Sequence, residues 1–146
     1  MEKTLKFNSQ VATNRSQSER LLALGLKKET ADMCWHKTDK YSEWEENAHS
    51  YEEWITEILP LVPSNIDESL IPAWSLARLV EMMPDIIKDN IEGMLYHLSI
   101  DGNSVFYETR NNDLCQFFGD SLYICIIDCI EWLIKEGYFD KECLED

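Results

Sequence analysis

The sequence predicts an α+β domain: a small antiparallel sheet around a central β-hairpin (about residues 91–109), packed against about four helices (16–24, 50–59, 74–83 and 119–136). Three observations carry this. Apolar residues recur with a helical period up to residue 84, and from Ile91 the period changes to two. The dipeptide Asp101-Gly102 sits where the two-residue period turns back, and suits a tight hairpin. Residues 118–139, FGDSLYICIIDCIEWLIKEGYF, are apolar nearly all round a helical wheel, so this helix must be covered on most sides. With 146 residues, the chain is read as one domain over 1–146, long enough to bury a core without staples.

Taken in order, residues 1–14 are polar and aperiodic and predict a loose N-terminal arm. Ser16 and Glu19 have capping-box spacing, opening a helix through Leu21, Leu22 and Leu24 that Gly25 ends in a left-handed cap. DMCWHKT (32–38) predicts a short strand. In YSEWEENAHSYEEW (41–54), Ser50 and Glu53 again have capping-box spacing. Tyr51, Trp54, Ile55, Ile58 and Leu59 then fall at i, i+3, i+4, i+7 and i+8, which predicts a helix with Trp54 in the core, stopped by Pro60. Residues 59–72 read as a connector broken by Pro60, Pro63 and Pro72. IPAWSLARLVEMMP (71–84) places Leu76, Leu79, Val80 and Met83 on one helical face between Pro72 and Pro84. In the period-two segment, Met94, Tyr96, Leu98 and Ile100 share one face and Leu95, His97 and Ser99 the other, with Val105, Phe106 and Tyr107 in the return strand. The last helix begins near Asp120, ends at Gly137, and has a narrow polar line of Asp128, Glu131 and Lys135.

Charge narrows the function classes. The formal charge is −15, unevenly spread. Residues 1–40 hold eight Lys/Arg against five acids, whereas residues 41–146 hold five against 23. An acidic body repels phosphate backbones, so direct nucleic-acid binding is disfavoured and a basic protein surface is the expected partner. The longest apolar run, 122–134, is too short to span a membrane and contains Asp128 and Glu131. The first residues show no apolar signal core. The five cysteines (34, 115, 125, 129, 143) form no disulfide framework, and a cytoplasmic chain with reduced thiols is expected.

Site candidates are few. Tyr41, Glu43, Trp44, Glu45 and Glu46 lie outside any period and make a candidate partner-binding segment, with Trp44 ringed by acids as an anchor for a basic partner. Cys34 and His36, with Asp32 beside them, share one strand face and could serve a small hydrolase or transferase. Neighbours on one strand point in parallel rather than at a common atom, which disfavours this. Cys125 and Cys129, at i and i+4, could join Cys34 and His36 around zinc. They sit in an Ile/Leu-rich run where cysteine behaves as a small hydrophobe, so no metal and no cofactor is expected. Scattered carboxylates could also serve an enzyme, but 28 acids guarantee accidental pairs. The reading these residues favour is a non-enzymatic acidic interaction module. A nucleic-acid mimic is its sharper form.

Three stretches, SQSERLLALGLKKETADM (16–33), IPAWSLARLVEMMP (71–84) and CIEWLIKEGYF (129–139), together resemble a family of small uncharacterised proteins of gut bacteria, commonly encoded with phage-like or mobile elements. The resemblance implies a cytoplasmic, mobile-element context. It implies no catalytic residues.

Overall fold

The computed structural model describes residues 10–41, 50–58 and 70–146, with side chains at 10–35 and 70–146. Among the described residues the fold is α+β with two antiparallel sheets and three α-helices. The first sheet has the strand order β2-β1-β3, from β1 (Met33–Tyr41), β2 (Ser50–Ile58) and β3 (Leu70–Ala73). The second has the order β4-β5-β6-β7, from β4 (Ile86–Lys88), β5 (Leu95–Asp101), β6 (Ser104–Thr109) and β7 (Asn112–Phe118). The helices are α1 (Arg15–Ala23), α2 (Leu76–Met82) and α3 (Leu122–Glu136). Two sheets thus replace the single hairpin-centred sheet expected, and three helices the expected four.

The segment 50–59, expected as a helix, is strand β2, paired with β1 over nine positions from Met33↔Ile58 to Tyr41↔Ser50. A cap contributes about 1 kcal/mol. A segment this short is marginal as an isolated helix, and Tyr51, Trp54, Ile55, Thr56 and Ile58 are the aromatic and β-branched types that strands favour. A nine-residue ladder outweighs the cap. The strand expected at 32–38 is present as β1. The connector expected over 59–72 is strand β3 from Leu70, and residues 59–69 lie outside the described residues. Pro72 stands in β3 opposite Cys34 rather than at a helix start. Its missing N–H is tolerated because β3 is an edge strand.

Helix α1 begins one residue before its expected start, and its cap is Asn14 rather than Ser16. Asn14 Oδ1 accepts from Gln17 N at 2.8 Å and Gln17 Oε1 accepts from Asn14 N at 3.0 Å, closing a reciprocal capping box. The helix ends as expected at Gly25, whose φ of +103° only glycine adopts without strain. Gly25 N donates to Leu22 O and Leu26 N to Leu21 O, the paired bonds of a Schellman motif, and Leu21 and Leu26 are buried.

The expected loose arm over 1–14 is corrected for residues 10–14, and residues 1–9 lie outside the described residues. Thr13 is fully buried, and its N–H donates to Trp74 O at 2.9 Å. Its Oγ1 accepts from Trp74 N at 3.1 Å and shares a 2.8 Å hydrogen bond with Ser18 Oγ. Its carbonyl accepts from Trp35 Nε1 at 2.7 Å. Aperiodic polar residues read as solvent-facing, but here a buried threonine spends every polar group on the protein. Directly beyond Trp74, Asp32 holds Ser75: Oδ1 accepts the backbone N–H at 2.8 Å and Oδ2 accepts the hydroxyl. Ser75 Oγ in turn caps α2 by accepting from Arg78 N. The helix therefore starts at Leu76 and stops before Pro84, inside the expected span.

The hairpin is present, but it begins at Leu95 rather than near Ile91, which is 91% exposed in a turn. Asp101 pairs with Ser104, so the two-residue loop is Gly102-Asn103. Only Gly102 has positive φ (+59°), the arrangement of a turn with glycine first, rather than Asp101-Gly102 supplying two such residues. Tyr96 is buried and Leu98 packs against the core, on the face expected. Beyond the hairpin lie β4 and β7, with a register shift in β6–β7 between Tyr107 and Glu108.

Helix α3 lies over β6 and β7 and also touches α1 and α2. Cys125, Ile126, Ile127, Cys129, Ile130 and Leu133 have no exposed surface. Its circumference is covered as the sequence demands, by the four-stranded sheet on one side and by the core around Trp74, Leu21 and Leu79 on the other. It is helical throughout and starts next to Asp120, with Ser121 as its cap.

Leu79→Ala and Ile126→Ala are expected each to cost about 2–5 kcal/mol in urea unfolding, as core truncations do. Thr13→Val keeps the shape but strands the buried Trp74 N–H and Ser18 hydroxyl, and should cost about 1–3 kcal/mol. Unchanged midpoints would place these side chains outside the core.

Candidate functional site

The segment singled out for partner binding falls almost wholly beyond the described residues. Tyr41 is the last residue of β1, paired with Ser50. Glu43, Trp44, Glu45 and Glu46 lie outside the described residues. Trp54 lies on β2, in register with Lys37 of β1, rather than on a helix.

The cysteines are placed by packing. Cys34 is 4% exposed and stands between Glu57 of β2 and Pro72 of β3 in the strand register, with His36 two positions along. Cys125 Sγ donates to Asn103 O at 3.0 Å, tying α3 to the hairpin loop. Burial pushes the Cys125 thiol above its ordinary range. Cys129 hydrogen-bonds Cys115 across the α3–β7 interface, which lowers the Cys115 thiol and raises that of Cys129. Cys115 and Cys129 meet each other, whereas Cys34 on β1 and Cys125 on α3 serve separate contacts. Among the described residues no group of three His, Cys, Asp or Glu side chains is placed to hold a metal ion.

Among the described residues, two depressions with polar linings stand out. The first, of about 310 Å³, is bounded by Phe117 on β7 and by Asp128, Glu131, Trp132 and Lys135 on α3. The four α3 residues fall at i, i+3, i+4 and i+7, so one helical face presents them together. Arg20, reaching from α1, donates from Nη2 to Asp128 Oδ1 at 2.7 Å and to Glu131 Oε2 at 2.8 Å. Its bonds to Arg20 hold the Glu131 carboxyl below the ordinary carboxylate range, with Lys135 adding to the effect. Partial burial opposes the charge on Arg20, but the two acids raise its pKa overall. The Trp132 ring lies 6.4 Å from Tyr107, 6.4 Å from Phe117 and 5.7 Å from Tyr138 by centroids, so three neighbours fix its orientation. Tyr107 below it is fully buried, with its hydroxyl donating to Pro84 O at 2.7 Å. The groove joins an aromatic wall to the Asp128 and Glu131 carboxylates, a combination suited to an alkylammonium or guanidinium group.

The second depression, of about 440 Å³, is lined by His97, Glu108, Thr109 and Arg110. His97 and Glu108 are cross-strand partners, and Ser99 Oγ donates to Glu108 Oε1 at 2.8 Å. It opens on the sheet face turned away from α3, where Ile86 and Leu95 are about half exposed.

No protein-family model, curated protein or solved structure matches the chain. The site is therefore built from its own chemistry. Asp128, Glu131 and Lys135 are legible in the sequence as the polar line of the last helix. Phe117 and Trp132 are not, because nothing in the sequence tells a core ring from a groove wall. The partner Arg20 lies more than a hundred positions away, and only the fold brings it in.

Two outcomes follow. Glu131 is depressed below its ordinary value of 4.5, so its pairing stabilises fully above that pH and is lost as pH falls through the folded-state pKa. The stability gap between the wild type and Arg20→Leu, from urea unfolding, is then widest above pH 4.5 and narrows on acidification. A pH-independent gap would remove the ion pair from the account. Because the five cysteines are free thiols, a reducing agent or a metal chelator should shift the melting temperature by no more than about 2–4 °C. A larger drop would show that a disulfide or a metal contributes more than about 1 kcal/mol of stability.

Proposed function

We propose that this chain is a non-enzymatic interaction module of one α+β domain, whose acidic surface engages a basic protein partner. The observation that carries this is charge placement. Residues 41–70 hold eight acids and no lysine or arginine, and residues 71–146 hold fifteen acids against five Lys/Arg. Among those five, Lys135 pairs with Glu131 and Arg78 with Glu81. Among the described residues, three side chains that could serve nucleophilic or acid–base chemistry are occupied in packing. Cys34 is buried, Asp32 holds Ser75, the cap of α2, and Cys125 is spent on the hairpin loop. That placement favours the binding reading over Cys34/His36 chemistry. Among the described residues no helix is long and apolar enough to cross a membrane. We place the module in the cytoplasm, in the phage-like or mobile-element context that the resemblance implies, with Tyr41, Glu43, Trp44, Glu45 and Glu46 contributing to the contact.

Affinity capture from a gut-bacterial lysate at two salt concentrations tests this. A basic protein should be retained at low salt and released at high salt, since exposed charge pairs are screened. Trp44→Ala should weaken that capture and leave the melting curve unchanged. Capture that ignores salt, or of neutral and acidic proteins alone, would overturn the proposal.

A further inference from the structure

Strand β7 is an edge. In the order β4-β5-β6-β7 its inner side pairs with β6 and no described strand pairs with its outer side, over seven residues from Asn112 to Phe118. Unpaired edges are normally blunted by brevity, proline, charge or a bulge, and the β6–β7 irregularity lies between Asp113 and Cys115, leaving Cys115–Phe118 in regular register. Here the sequence is NDLCQFF, whose one charge is Asp113 at the start, and Phe118 at its end is 67% exposed. Past the irregularity at Leu114, side chains alternate along this edge. Cys115 and Phe117 pack toward the core and α3, and Gln116 and Phe118 are exposed. Phe117 is also the sheet-side wall of the groove that ends at Trp132 and the Asp128–Glu131 pair. A strand added beside β7 would therefore send alternate side chains toward that groove.

We propose that β7 and the α3 groove together form a docking site for an extended basic peptide segment. The segment would pair with the outer edge of β7 and place a lysine or arginine against Trp132. This rests on the acidic interaction reading above and gives it a place. Three features select the occupant. Arg20 satisfies Asp128 and Glu131 through a single nitrogen, Nη2, which leaves Asp128 Oδ2 without a described hydrogen bond. The pairing keeps Glu131 ionised, so the acceptor charge persists under mildly acid conditions. The Trp132 ring is held by Tyr107, Phe117 and Tyr138 before any ligand arrives, so a cation loses little freedom of the host on binding. Lys135 borders the same groove at 3.6 Å from Glu131, with 72% of its side chain exposed. It is the internal cation that an incoming one would displace. An acidic peptide would find neither a free cation there nor relief from the surrounding charge, and an apolar one would leave the carboxylates facing hydrocarbon.

The test uses the full chain and a synthetic twelve-residue peptide alternating lysine with valine, followed by backbone amide and indole NMR shifts. Saturable shifts on β7 amides and on the Trp132 indole, weakened at least tenfold by acetylating the lysines, support the site. Lys135→Ala, which removes the competitor, should tighten binding two- to tenfold, and Trp132→Leu should weaken it at least fivefold while the amide spectrum stays folded. Lys135→Ala is exposed and carries the test if Trp132→Leu unfolds. Saturable binding mapped elsewhere, for instance to β1 and β2, overturns this site and leaves the acidic reading standing. No saturable shift anywhere up to millimolar peptide overturns both.

Discussion

The backbone at Trp74 and Ser75, where β3 gives way to α2, is the point on which the rest of the fold depends. It is gripped from three directions. Thr13 takes both the N–H and the carbonyl of Trp74. Asp32 takes the N–H and hydroxyl of Ser75. Thr30 Oγ1 accepts the indole N–H at 3.0 Å. A buried chain reversal must satisfy each of its polar groups or lose free energy comparable to a missing hydrogen bond for every one left over. Here the partners come from segments forty to sixty residues upstream. The arrangement welds the 10–14 segment, the start of β1 and the end of β3 into one unit, and it seats Trp74, the largest fully buried side chain among the described residues.

Helix α3 then acts as a wall shared by two halves. Its isoleucines and Leu133 meet the four-stranded sheet and the Trp74 core, and its polar stripe is left at the seam. Asp128 and Glu131 could not be buried there without a cation. Arg20, itself about a third exposed, supplies one at the rim. Exposed pairs contribute little to stability. The Arg20 pair matters more by fixing which carboxylate oxygens remain outward than by holding α1 in place.

Much of the architecture is legible in the sequence because helix periodicity and turn chemistry are local. The α1 stripe with Gly25, the α2 stripe closed by Pro84, the hairpin at Gly102 and the all-round apolar α3 each carry their signal within about ten residues. The misses share a cause. In β2, aromatic residues spaced for a helix also satisfied a strand, and pairing with β1 decided the matter. The three residues of β4 are too few to show alternation, and the β6–β7 register shift breaks the period that would have revealed β7. Residues 10–14 read as loose because the groups that bury Thr13 lie at 18, 35 and 74. The groove was legible only in part: its acids stood out as a polar line, whereas its aromatic wall and its arginine depend on tertiary contact.

The seam between residues 25–27 and 143–145 has a kinetic consequence. Lys27 N donates to Cys143 O at 2.9 Å, Glu145 N donates to Gly25 O at 2.7 Å, and Leu26 pairs with Leu144 as an isolated bridge. On the ribosome, the Schellman turn at the end of α1 emerges more than a hundred residues before the 143–145 segment that closes it. Together with the Arg20 contacts to α3, this gives the protein a high share of contacts between distant positions, which slows folding because loop closure must be met before such contacts reward it. Until synthesis passes residue 145, α1 has neither its bridge nor its tether, and the nascent chain exposes Leu21 and Leu26 to whatever chaperone is nearest.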